Sequence, residues 1–251
     1  MGELPMKFHT LVLEGDYKAE KDRPHPPAYT KEDYLRRKWL ESRPPLHNRS
    51  FYLCRMVEEE LKGIDIDGSG KITICAHQIR LVPGEEKYIC NRDFKVSMYY
   101  LDQVEIDTIA DADEDAEPMV LWGILRNAML DIAKRNYCSE DVIGKIEGAF
   151  DHIVSRRFVR EDRIGKLTKR DGDTGMTAYV ERVLSAETGE GWRIRIADRK
   201  GVTCRQETMD GGTRYVDRLG SQLYAKAEWC GDMFVIYERF GKEVFHISAH
   251  S

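Results

Sequence analysis

Nothing in these 251 residues approaches the ~18 consecutive apolar positions that a membrane-spanning helix requires, so no such span is expected. The six cysteines, Cys54, Cys75, Cys90, Cys138, Cys204 and Cys230, are scattered and form no C-x-x-C. That spacing argues against a disulfide framework or a zinc site, and it points to reduced, mostly buried thiols in a cytoplasmic protein. Catalytic signatures are missing too. No G-x-S-x-G, H-E-x-x-H, P-loop or G-x-G-x-x-G occurs, and His9, His25, His47, His152, His246 and His250 show no ligand spacing. The run Phe8–Leu13 is too short and polar for a secretory leader, and Pro5-Met6 spoils a myristoylation motif after Gly2. No cofactor-binding pattern, internal repeat or low-complexity tract is present.

What the chain has is charge, unevenly placed. The net is −5. Residues 1–116 hold 17 Lys+Arg against 23 Asp+Glu, and residues 117–251 hold 22 against 21. An acidic front half is unsuited to tracking a phosphate backbone, so no nucleic-acid partner is expected. It suits a basic protein partner, or solubility alone.

Periodicity predicts an α+β protein. An opening strand over 7–13 leads to a helix capped by Thr30 and Asp33, with Leu35 and Trp39 on one face, ended by Pro44 and Pro45. A helix from about Asn48 to Gly63 shows Leu53, Val57 and Leu61 as a stripe, and a strand follows over 71–79. Residues 88–109 alternate as strand, with a turn or bulge at Asp102. Pro118 opens an apolar helix to about Asn136, and Ser139 caps the next, which carries Ile143, Ile146, Phe150 and Ile153. The two together predict a central helical hairpin. Beyond it, alternation around Trp192 and Trp229, with a two-residue turn at Gly231-Asp232, predicts a C-terminal β-meander. The expected fold is a single α+β unit over 1–251, with antiparallel sheet from both ends of the chain packed on the hairpin. A lobe boundary, if present, would fall at 111–117, leaving 1–110 and 117–251.

One segment resembles the calcium loop of EF-hand proteins over about nine residues. Asp65, Asp67, Ser69 and Thr73 supply oxygens at relative positions 1, 3, 5 and 9, with Gly70 at 6. Position 12, where a bidentate glutamate should close the shell, is Ala76. The competing assignment is a plain hairpin, with Ile64 and Ile66 facing Ile72 and Ile74 across Asp67–Gly70.

Three other clusters carry possible chemistry. Asp111, Asp113, Glu114 and Asp115 lie in an acidic run that, with Asp102, Glu105 and Asp107 on the preceding strand, could dock a basic partner. The plainer view is a solvated connection that places carboxylates at a helix N-terminus. Arg156, Arg157, Arg160, Arg163, Lys166, Lys169 and Arg170 are interrupted by acids and lack interleaved aromatics, as in an ordinary surface loop. Cys75 and His77 would share one strand face ~6–7 Å apart, the nearest approach to a thiol–imidazole pair. The leading expectation is a non-catalytic, intracellular protein-binding module, such as an acidic immunity or inhibitor-type protein that neutralises a basic toxin or nuclease. An enzyme assembled only in three dimensions and a calcium-responsive module are the alternatives.

Overall fold

The computed structural model describes residues 7–15, 45–76, 87–91, 93–209 and 224–249. The expected helix after Thr30, the residue His77 and the end of the predicted 71–79 strand lie outside them. The fold is α+β and divides into two compact units, residues 1–158 and 159–251. The division falls at 158/159, and the acidic stretch at 111–117 lies inside the first unit.

In the first unit, four strands form one sheet: β1 (Thr10–Glu14), β2 (Lys71–Cys75), β3 (Tyr88–Asn91) and β4 (Val96–Tyr100), in the order β1-β2-β4-β3. The sheet is mixed, which corrects the expectation of antiparallel pairing at this end. β2 runs parallel to both β1 and β4, and only β3 and β4 are antiparallel. The reason is visible in β2. Ile72, Thr73, Ile74 and Cys75 are all buried, so this is a central strand covered on both faces rather than one arm of a half-exposed hairpin. The plain hairpin across Asp67–Gly70 is therefore not formed. Residues 64–70 instead lead into β2, with the carbonyls of Ile64 and Gly70 taking the N–H groups of Phe8 and His9.

Among the described residues four helices accompany the sheet: α1 (Leu46–Glu60), α2 (Gln103–Asp111), α3 (Glu117–Arg135) and α4 (Glu140–Ser155). α2 corrects the strand expected over 104–109. Ile106, Ile109 and Ala110 are its buried residues, a 3–4 spacing that only a helix places on one face. Asp102, expected at a turn or bulge, is its N-cap. Its carboxylate accepts the Glu105 N–H at 2.9 Å, and the Glu105 carboxylate returns to the Asp102 N–H at 2.8 Å. α3 and α4 begin where Pro118 and Ser139 place them. They meet through the Trp122 indole N–H, which donates to the Phe150 carbonyl at 3.0 Å.

In the second unit every pairing among the described strands is antiparallel. β5 (Arg160–Arg163), β7 (Thr177–Ser185), β8 (Gly189–Ala197) and β9 (Thr203–Thr208) form one sheet in that order, and β6 (Lys169–Arg170) also pairs with β7. β10 (Lys226–Cys230), β11 (Met233–Tyr237) and β12 (Glu243–Ser248) form the other. Gly231-Asp232 joins β10 to β11 as a two-residue turn with Gly231 at φ 64°. Ala178, Val180, Trp192, Ile194 and Ile196 of the first sheet share one buried cluster with Ala227, Phe234, Ile236 and Ile247 of the second. The basic stretch expected as a loop is partly strand: Arg160 and Arg163 lie in β5, and Lys169 with Arg170 form β6.

Candidate functional site

The acidic excess belongs to the first unit, which holds 23 Lys+Arg against 29 Asp+Glu, whereas the second holds 16 against 15. Not all of the seven carboxylates expected to dock a partner point outward. Asp102 and Glu105 are engaged within the molecule, although the Asp102 side chain stays 45% exposed. Besides capping α2, they share the ammonium of Lys87, at 2.7 Å and 3.0 Å. The Lys87 hydrogen bond holds the Asp102 carboxyl below its usual range. Lys87 lies 15 residues before Asp102, and nothing in the local pattern announces it as the partner. Glu117, at the end of the acidic run, is buried and paired with buried Arg49 of α1.

The remainder forms an outward edge. Asp107 lies on α2, partly buried, and its carboxylate accepts from the Gln103 side chain at 3.1 Å. Asp111 ends α2 and is exposed; Asp113, Glu114 and Asp115 follow, all exposed. One Asp113 oxygen accepts the Ala116 N–H at 2.7 Å, and its backbone carbonyl takes the Glu117 N–H at 2.9 Å, so the turn into α3 is held in shape. Apolar side chains flank this edge. Val104, in the first turn of α2, is 74% exposed and Met119, in the first turn of α3, is 47% exposed. Val104, Asp107 and Asp111 follow at i, i+3 and i+7, along the side of α2 opposite its buried stripe. The outward acidic edge is thus narrower than the seven residues expected, and it has apolar neighbours that charge counting alone does not reveal.

The calcium-like loop is organised around its own donors. Asp65 accepts the Gly68 N–H at 2.8 Å. One Asp67 oxygen accepts both the N–H and the hydroxyl of Ser69, at 2.9 Å and 2.6 Å, and the other accepts the Tyr88 hydroxyl at 2.8 Å. Ser69 is 1% exposed, and Thr73 lies within β2, buried in the sheet. A calcium ion needs six to eight oxygens converging on one point, and here the oxygens of positions 5 and 9 are committed to the interior. Among the described residues no group of three or more His, Cys, Asp or Glu side chains is placed to hold a metal ion. The loop instead anchors neighbouring segments. Asn136 donates to the Tyr88 hydroxyl at 3.0 Å, and the Cys138 thiol donates to the Ile66 carbonyl at 2.9 Å.

Cys75 is fully buried in β2. Burial, with the Glu14 carboxylate adding to it, pushes its thiol up to about 12. A nucleophilic cysteine needs the opposite surroundings, cationic and partly exposed, which lower the thiol into the neutral range. No helix among the described residues is long and apolar enough to cross a membrane.

Compared with protein-family models, with curated proteins and with solved structures, the chain matches none of them.

Proposed function

We propose that this chain is a non-catalytic protein-binding module whose first unit docks a basic partner on the edge between α2 and α3. The observation that carries this reading is the consecutive exposure of Asp113, Glu114 and Asp115, continued by Asp111 and flanked by the exposed side chains of Val104 and Met119. Grouped carboxylates steer a cationic surface toward the protein and fix its orientation; adjacent apolar groups contribute the area that holds it. The capping of α2 by Asp102 and of the turn before α3 by Asp113 presents these groups on a preorganised backbone, which lowers the ordering entropy lost on binding.

In its sharper form the module is an immunity or inhibitor-type protein of the cytoplasm that neutralises a basic toxin or nuclease by covering its cationic substrate-binding surface. Neither nucleic acid nor a membrane surface fits the same edge, because both are anionic. Affinity capture on the immobilised full chain, from an extract of its source cell, tests the reading. It is run beside a variant carrying Asp111→Asn, Asp113→Asn, Glu114→Gln and Asp115→Asn. A basic protein held by the first and lost by the second is expected. Equal retention by both, or no retained protein, would overturn it.

A further inference from the structure

The outer edge of β9 faces no other strand among the described residues: β8 pairs with one side, and β9 ends the sheet. A bulge sets one end of the β8–β9 ladder near Cys204, and the pairing is regular from Arg205 to Thr208. Paired residues share a face, so Arg205 and Glu207 lie on the side of Ile196 and Ile194, while Gln206 and Thr208 lie on the side of Arg195 and Arg193. Within the strand, the Arg205 guanidinium pairs with Glu207, and it also donates to the Ser248 carbonyl of β12 at 3.2 Å. The edge therefore presents a cation and an anion two residues apart, with one polar residue between them.

We propose that a second copy of this chain pairs antiparallel with β9 about a two-fold axis at Gln206. That axis sets Arg205 of each copy opposite Glu207 of the other, so both charged cross-strand pairs are of opposite sign. It also sets Cys204 opposite Thr208. An axis through Arg205 would oppose two arginines, and one through Glu207 would oppose two glutamates. Of these three axes, which all keep the buried face of the sheet continuous across the junction, only the one at Gln206 avoids like charges. The contact is isologous and closes on itself as a dimer. Exposed charges on an edge strand ordinarily repel a neighbouring edge, and this arrangement is self-complementary instead. The inference is independent of the acidic edge on the first unit.

Sedimentation velocity of the full chain over a wide range of concentration tests it, with Arg205→Glu, Glu207→Arg and the double charge swap alongside. The wild type is expected to dimerise. Each single variant opposes like charges twice and should raise the dissociation constant roughly tenfold, and the double swap should restore it. A wild type that stays monomeric throughout, or a dimer indifferent to the single changes, would overturn the proposal. If a charge variant fails to fold, Gln206→Cys supplies a second test. With oxidised glutathione as oxidant, two protein thiols form one disulfide at the axis and release two reduced glutathiones. A covalent dimer above the wild-type background is expected, and its absence contradicts the register.

Discussion

The backbone N–H of Leu11 donates to the carboxylate of Glu58 across 2.8 Å, so a side chain of α1 closes the outer edge of β1. Glu58 is 7% exposed, and its other oxygen is held by Arg55. This bond joins two elements 47 residues apart and satisfies a backbone donor that the sheet leaves unpaired. Glu58→Ala should therefore destabilise the fold by about 1–3 kcal/mol, the range for an orphaned buried group. Glu58→Gln should be milder, because its amide oxygen can still accept from Leu11.

Burial also raises the Glu58 carboxyl above its ordinary 4.5, against the pull of the Leu11 and Arg55 hydrogen bonds. A carboxyl raised in the folded state binds its proton more tightly there than in the unfolded chain. Its contribution to stability is therefore largest in acid and declines as pH rises from about 4.5 through the folded-state value. Urea unfolding of wild type and Glu58→Gln should show the wild type losing ground to the variant across that window. A constant difference between the two would contradict the assignment.

Arg49 and Glu117 are paired with side chains only 3% and 9% exposed. Removing one partner leaves the other charge in the interior, and Glu117→Ala should cost about 3–5 kcal/mol. Replacing both, as Arg49→Met with Glu117→Leu, should cost much less. A double-mutant cycle by denaturant unfolding measures the coupling, and additive single effects would show that the pair contributes nothing as a pair.

The loop at Asp65 should bind no calcium, because both Asp67 oxygens are engaged by Ser69 and Tyr88. Calorimetric titration with Ca²⁺ should give no saturable heat. A saturable heat abolished by Asp65→Ala would restore the calcium site. On stability the order should run the other way from a ligand role at position 1. Asp67→Ala removes three hydrogen bonds and should destabilise more than Asp65→Ala, which removes one.

Thiol reactivity separates the binding module from a cysteine enzyme. Cys204 and Cys230 are exposed, whereas Cys54 and Cys75 are buried. A maleimide probe at neutral pH should modify the exposed pair first and Cys75 only on unfolding. Rapid, selective modification of Cys75, lost in Cys75→Ser, would reopen the catalytic alternative.

Legibility in the sequence followed the range of the interactions. α3 and α4 were readable because Pro118, Ser139 and the apolar stripes act within one or two turns, and the β10–β11 turn because Gly231-Asp232 is itself the signal. The parallel pairing of β1, β2 and β4 was not readable, since it joins Thr10 to Lys71 and Lys71 to Val96, far outside any local pattern, and leaves no period-two trace in a strand buried on both faces. α2 was misread for another reason. Val104 and Ile106 mimic an alternating strand over a short segment, and the capping box of Asp102 and Glu105 outweighs that pattern. The acidic edge was visible as composition. The pairing of Lys87 with Asp102 and Glu105, and the exposure of Val104 and Met119, are tertiary facts that no local pattern announces.

The most direct test is the affinity of the captured partner as a function of salt, for the wild type and for the variant neutralised at Asp111, Asp113, Glu114 and Asp115. The account predicts that wild-type binding weakens steeply as ionic strength rises, and that the variant binds weakly with little salt dependence. An affinity that ignores both salt and the four substitutions would show that the α2–α3 edge is not where a partner docks.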